Sequence, residues 1–248
     1  MSMKSEIPLL REDGKRLSGR GMEDLRPIRI VPGVLSSADG SAYVEWGKNK
    51  VICGVFGPRE CLPKHEENPY RAIIRARYTM SPFASLEDHG RTGPNRRSTE
   101  LSKVIKEVFE NVVMLEKFPR TQIDIFMDVL QADGGTRVSA ITAASVALAD
   151  AGIPMKGLVG AVAMGKAGGK LIVDLDKFED NYGQSDVALA IRRGTDEVLL
   201  LQMDGMLTKE EFIQLFEMGQ KAANKVGELQ KEALIKGYEE AEAEGLEL

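Results

Sequence analysis

The chain has 248 residues, of which 43% are hydrophobic and 29% charged, and its formal net charge is −5. This composition is ordinary for a globular protein and supplies enough apolar material for one large domain or two small ones. No run approaches the roughly 18 apolar residues of a membrane span, and residues 1–16 lack the apolar core of a signal peptide, so we expect a cytoplasmic protein without a membrane segment.

In the N-terminal half, a polar lead ends near residue 27, and alternating or β-branched patterns then predict four strands. These patterns are PIRIVPGVL, SAYVEWG, NKVICGVFG and RAIIRARYT. Residues 81–97 have turn chemistry, with Ser, Pro, Asp, Gly and Asn. An apolar stripe that follows predicts a helix from about Ser98 to Glu116.

In the C-terminal half, TQIDIFMDVLQAD predicts a strand, and an Ala-rich helix should run from Thr136 to Ala151. Short strands are predicted near 158–165, 170–175, 185–192 and 196–203, and a capped helix near 207–243. The acidic tail, residues 239–248, should be solvated. Because strands come in runs with helices between and after them, we predict an α+β fold with mixed or antiparallel sheets, and one compact domain over residues 1–248.

The scarce residue types limit the chemistry. Cys53 and Cys61 form no paired motif, and the apolar run around Cys53 predicts a buried thiol. His65 and His89 are too few for a His-rich zinc site, and the chain lacks the G-x-S-x-G motif of serine hydrolases. A metal, if used, should be a hard ion held by carboxylates.

The stretch GAVAMGKA, residues 160–167, matches seven of the eight positions of a phosphate-binding P-loop. Ala167 replaces the hydroxyl that would hold Mg²⁺, and Ala-Val-Ala-Met is typical of a strand. We therefore interpret the stretch as a strand, and the small-molecule kinase that it would imply remains a distant alternative.

A first candidate site element is GGTR, at the start of the Ala-rich helix. Gly134 and Gly135 allow a ligand to approach the backbone, and Thr136 can cap the helix. Arg137 offers a fork for phosphate oxygens and Ser139 a hydroxyl. This combination indicates a phosphate site, although taken alone it is also compatible with a plain turn that carries a surface arginine.

A second arginine-rich segment, RTGPNRRSTEL, precedes the earlier helix. Arg96 and Arg97 stand at its start beside two hydroxyl residues, and Arg91 lies in the loop before them. Two helix starts with arginines could face one cleft and bind anions there. The alternative is a solvated loop.

A third segment, DLDKFEDNYGQSDVALAI, holds five acids, and Asp186 alternates with small residues opposite an apolar face. Carboxylates beside an arginine-lined phosphate site are typical of Mg²⁺-assisted phosphoryl transfer, but an acidic surface turn is equally compatible with the pattern. In RAIIRARYT, Arg71, Arg75 and Arg77 share a strand face with Tyr70 and Tyr78 nearby. This indicates either a single-stranded nucleic-acid track or an ordinary exposed face.

Together these motifs resemble the phosphorolytic 3′→5′ exoribonucleases of the RNase PH and polynucleotide phosphorylase type. The resemblance is closest to the catalytic RNase PH-like subunit of the archaeal exosome, and it covers nearly the whole chain. The motifs are REDGKR, EDLRPI, RRSTEL, DGGTRVSAITAASVAL, DLDKFEDNYGQSDVALA and MDGMLTKEEF. One departure is Val138, at a position where bacterial RNase PH usually has Thr.

The resemblance implies roles for individual residues. The expected phosphate-binding residues are Arg97, Gly135, Thr136, Arg137 and Ser139. Asp180 and Asp186 would be catalytic and would hold Mg²⁺ or Mn²⁺. The expected RNA contacts are Arg96, Arg97, Arg137, Tyr70 and Arg71.

The implied reaction uses inorganic phosphate to release nucleoside diphosphates from the RNA 3′ end. The implied partners are single-stranded RNA, a homologous inactive subunit that alternates in a six-subunit ring, and RNA-binding cap proteins. Two alternatives are a homohexameric RNase PH that trims tRNA, and a non-catalytic subunit that binds RNA and scaffolds the ring.

Overall fold

The computed structural model describes residues 8–85 and 95–243. Nine strands and four helices lie in these ranges. The strands are β1 (Ile28–Pro32), β2 (Gly40–Trp46), β3 (Asn49–Glu60), β4 (Ile73–Met80), β5 (Thr121–Gln131), β6 (Val159–Ala167), β7 (Lys170–Val173), β8 (Ser185–Arg192) and β9 (Val198–Gly205). The helices are α1 (Arg96–Val112), α2 (Thr136–Asp150), α3 (Lys177–Tyr182) and α4 (Lys209–Ala243).

The strands form two sheets. The first has the order β1-β2-β3-β5-β4 and the second the order β7-β6-β8-β9. All pairs are antiparallel except β4 and β5, which are parallel. A parallel pair needs a crossover, and α1 supplies it between these two strands. The α+β prediction with mixed and antiparallel sheets is confirmed.

Helix α2 lies between the sheets, packing on β2 and β3 of the first and on β6 of the second. Such a position requires small residues on all sides, which explains its alanines and the glycines that face it. At Gly40 an added Cβ would lie 2.2 Å from the backbone nitrogen of Ala151. One apolar core therefore includes residues of both sheets. The single-domain organisation stays a prediction.

Strand β8 has two different faces, as its alternation predicts. Val187, Leu189 and Ile191 are buried in the cluster that includes residues of α4. Asp186, Ala188 and Ala190 alternate with them and thus face the side where α2 begins. Ala188 and Ala190 are buried in the core that this sheet shares with α2, whereas Asp186 is half-buried.

Two local predictions were wrong. The first helix ends at Val112 rather than at Glu116, because Val113 turns extended and bridges to Met155. The acidic segment contains a six-residue helix, α3, that the sequence did not predict. Asp176 caps its start and Glu179 bonds back to the Asp176 amide, so two neighbouring acids stabilise a helix too short to show periodicity.

Several other predictions are confirmed. Both cysteines are buried and free, and residues 160–167 lie in strand β6, where a Cβ on Gly160 would meet the carbonyl oxygen of Ala223. The last helix, α4, extends to Ala243, the last of the described residues. Within residues 8–85 and 95–243, the helices all fall short of the length and apolarity that crossing a bilayer requires.

Candidate active site

The N-terminus of α1 carries two arginines. Asn95 caps this helix by accepting from the Ser98 amide, and the Ser98 side chain accepts in return from the Asn95 amide. Arg96 and Arg97 follow as the first two helical residues, and both are exposed. Arg91, predicted to belong to this cluster, lies outside the described residues.

The N-terminus of α2 is built differently. Gly134 and Gly135 have φ values of +75° and +67°, and Gly135 occupies the N-cap position without a side chain to bond the first-turn amides. These N–H groups and the partial positive charge of the helix start are therefore available to an anion. The prediction that Thr136 caps the helix was wrong, since Thr136 is the first helical residue.

The hydroxyls near this loop are engaged in the fold. The Oγ1 of Thr136 accepts a 2.9 Å bond from the Tyr78 hydroxyl. Ser139 is fully buried, and its Oγ donates to the Gly135 carbonyl at 3.2 Å. The hydroxyl of Ser139 therefore shapes the loop. Any phosphate contact by Ser139 or Thr136 stays a prediction.

Arg137, the second residue of α2, has a partly unsatisfied guanidinium. The side chain is half-buried, and its Nε is shielded from solvent without a hydrogen-bond partner among the described residues. A buried donor without a partner is costly, and a ligand that accepts from it would remove that cost.

Asp180 on α3 and Asp186 on β8 are both half-buried. Burial raises the pKa of Asp180, and Arg97 and Arg137 oppose the rise. Burial, and secondarily the charge of Asp180, raises the pKa of Asp186 to about 6, again against the two arginines. Each carboxylate thus interacts with the same two guanidinium groups, so the four side chains lie near one another in the fold.

Two further side chains interact with this group of arginines and acids. Burial raises the pKa of Tyr78, while Arg97 and Arg137 act in the opposite direction. Asp204 lies directly across from Asp186 on β9 and adds to the rise of its pKa. Tyr78 is only 2% exposed, so its predicted place on an RNA-facing aromatic track was wrong.

Two other predicted RNA contacts, Tyr70 and Arg71, lie at the opposite end of β4 from Tyr78. Tyr70 is 83% exposed and Arg71 is also exposed, just before β4. Eight residues separate Tyr70 from Tyr78, which corresponds to a distance on the order of 25 Å along an extended chain. Arg75 is paired with Glu66 at 2.7 Å. The segment therefore marks a separate surface.

Sequence reasoning gave no individual role to three residues that hold the site loops. The side chain of Asn49 bonds the Gly134 carbonyl and the Asp133 amide, both at 2.5 Å. Arg26 bonds the Asp133 carbonyl, and Arg16 forms a buried ion pair with Glu179. Both arginines lie in motifs that carry the family resemblance, REDGKR and EDLRPI. Their place in these motifs was the sequence signal that could have identified them.

Comparison with protein families gives two matches that together span most of the chain. Residues 24–154 match domain 1 of the 3′ exoribonuclease family, and residues 157–222 match domain 2 of the same family. The junction between them falls just before β6, the first strand in sequence of the second sheet.

Similar curated proteins are described as exosome complex component Rrp41. The chain is 55% identical to the one of Pyrococcus furiosus over 96% of its length and 95% of the relative's, and 54% identical to that of Thermococcus onnurineus with the same coverage. A crystal structure of rice Rrp46 aligns with a TM-score of 0.79 at 26% identity, covering 88% of this chain and 99% of the rice chain. An Archaeoglobus fulgidus exosome with RNA bound to the active site aligns with a TM-score of 0.76 at 26% identity, covering 87% and 92%. The chain belongs to the 3′ exoribonuclease family.

Proposed function

We propose that the chain is a phosphate-dependent 3′→5′ exoribonuclease and the catalytic subunit of an exosome ring. It shortens RNA by transferring the terminal nucleotide to inorganic phosphate, which releases a nucleoside diphosphate. The observation that carries this proposal is the joint action of Arg97 and Arg137, at two helix starts, on Asp180 and Asp186. The naming of its relatives as exosome components supports it.

The proposed reaction needs positive charge more than it needs a base. Inorganic phosphate has a second pKa of roughly 7, about one unit above that of a phosphoester, so at neutral pH a substantial fraction is already the nucleophilic dianion. Arg97, Arg137 and the free amides of α2 would hold it in line with the scissile phosphorus. A phosphate oxygen bonds that phosphorus, the 3′ oxygen of the preceding nucleotide leaves, and the proton of hydrogen phosphate ends on the leaving oxygen.

A divalent cation, Mg²⁺ or Mn²⁺, fits the two acids. Within the described ranges, no group of three or more metal-ligating side chains occurs, but Mg²⁺ commonly uses one or two carboxylates together with substrate phosphates. Asp186 is raised in pKa partly by Asp180, and a cation between them would relieve that repulsion. The cation, when bound, would offset negative charge on the scissile phosphate.

RNA would be held through its backbone and sugar, which suits a sequence-tolerant enzyme. Arg96 and Arg97 would contact the 3′ end. Tyr70 and Arg71 would hold a more distant part of the strand by stacking and charge. We propose that the working assembly is a cytoplasmic ring with a homologous inactive RNase PH-like subunit, covered by RNA-binding cap proteins.

The test is to incubate the assembled ring with 3′-labelled RNA, with and without phosphate. Labelled nucleoside diphosphates that require phosphate are expected, and monophosphates would contradict the proposal. Asp180→Asn should abolish release while the RNA dissociation constant stays within about twofold, because RNA is held mainly by arginines. The exposed Asp196 provides the control, since Asp196→Asn should be fully active.

A further inference from the structure

Arg26 lies just before β1 and joins two segments that are far apart in sequence. On one side, its Nη1 donates to the Asp133 carbonyl at 2.5 Å and its Nη2 to the Gly134 carbonyl at 3.3 Å. On the other, its Nη2 donates to the Asp174 carboxylate at 2.7 Å, and its backbone amide donates to the same group at 2.6 Å. A single buried guanidinium thus connects the glycine loop to the chain that leads into α3.

Asp174 is held in an unusual backbone conformation. Its φ is +59°, in the left-handed region that non-glycine residues rarely adopt, and it is fully buried. Such a residue persists only where its surroundings fix it. Its carboxylate bonds Arg26, and its carbonyl accepts from Arg16 at 2.6 Å and from Arg20 at 3.0 Å.

From Asp174 the network continues to Asp180. The Nε of Arg16 donates to the Glu179 carboxylate at 2.7 Å, and Glu179 in turn accepts from the Asp176 amide at 3.0 Å. Helix α3 has only six residues, so these contacts determine where it points. A Cβ on Gly134 would lie 2.5 Å from the backbone of Asp176. The glycine loop therefore packs directly on the start of this helix.

We propose that Arg26 is a positioning residue, which sets the distance between the phosphate-binding loop of α2 and the carboxylate of Asp180 on α3. This inference rests on the proposed function. Phosphate bound at the loop and a cation bound at the acids must meet at one scissile bond, so their separation controls the reaction. Arginine suits this role because its planar fork donates from three separate nitrogens to two carbonyls and a carboxylate, whereas the three donors of lysine share one nitrogen and cannot span the same acceptors.

The experiment compares Arg26→Lys with Arg193→Lys in the assembled ring. Arg193 forms a forked ion pair with Glu228 at a more exposed position, and it controls for the general effect of replacing a forked arginine. For Arg26→Lys, the phosphate concentration at half-maximal diphosphate release should rise about 10- to 100-fold. Losses of this size are typical when a residue that holds the binding groups in place is replaced. RNA binding should stay within about twofold, and Arg193→Lys should match the wild type.

A second measurement separates positioning from stability. Inorganic phosphate should raise the melting temperature of the wild type at concentrations where Arg26→Lys does not respond. Asp174→Asn should also raise the phosphate requirement, and the double variant should be no worse than the more severe single variant, because both remove one connection.

A lower melting temperature with an unchanged phosphate requirement in Arg26→Lys and in Asp174→Asn would overturn the inference. That result is distinct from failure of the proposed function, in which the wild type itself would release no diphosphate.

Discussion

The raised pKa of Asp186 leads to a prediction about stability. Its pKa is about 6 in the folded chain against an ordinary value of 3.8. Since the folded state favours the protonated acid, ionisation destabilises it. The resulting loss of unfolding free energy is absent well below pH 3.8 and complete above pH 6. The difference between the two pKa values corresponds to a loss of at most ~3 kcal/mol. Part of the side chain meets solvent, so a measured value of about 1–3 kcal/mol is expected.

Asp186→Asn should therefore make the metal-free chain more stable at pH 7.5 while abolishing activity. At pH 5 the gain in unfolding free energy over the wild type should fall to about half of its value at pH 7.5. At this pH the acid is ionised in the unfolded chain but mostly protonated in the folded chain. The assay is urea unfolding in a chelator. It is followed by the fluorescence of Trp46, the single tryptophan, which is fully buried.

Two comparisons complete this experiment. Adding Mg²⁺ should stabilise the wild type more than Asp186→Asn, because the cation binds the carboxylate only in the folded state. The exposed Asp196→Asn should change the free energy of unfolding by less than about 0.5 kcal/mol. The reasoning would be refuted if Asp186→Asn were less stable than the wild type at pH 7.5, or if its gain in stability were the same at pH 5 and pH 7.5.

Two other substitutions test the loop. Gly134→Ala should inactivate the enzyme and destabilise it by more than Gly169→Ala. Both positions have positive φ, but only the Cβ at Gly134 meets another backbone, so equal unfolding free energies would contradict the packing. Arg137→Ala should raise the phosphate requirement of diphosphate release by about 10- to 100-fold, since a charged hydrogen bond contributes about 1.5–3 kcal/mol. An unchanged phosphate titration would remove Arg137 from the site.

The sequence predicted those elements whose signal is local. The alternation around Asp186 predicted a two-faced strand, and the Ala-rich segment predicted the helix α2, whose burial only the structure shows. The last helix begins where the sequence suggested, with Thr208 and Glu211 bonding each other's amides. Helix α3 was missed because six residues contain less than two turns, too few for periodicity to appear.

Residue type alone could not tell which polar side chains face the site. Tyr78 was placed near the arginines of its strand, but it alternates with Arg75 and Arg77 and shares the face of Ile74, so the period of two already indicated its buried position. Ser139 is also buried, although its position after the glycines suggested contact with a ligand. The amide of Asn49, 90 residues away in the sequence, donates to the Ser139 hydroxyl, and no local pattern encodes that neighbour.

By itself, the sequence determined the fold class and the presence of arginines, glycines and acids suited to phosphate chemistry. Only the tertiary structure decided that these groups converge, because their convergence depends on α2 packing between two sheets. The same holds for Arg26 and Asp174, which are 148 residues apart. Burying their charges is favourable only where each finds the other, and that meeting exists only in the folded chain.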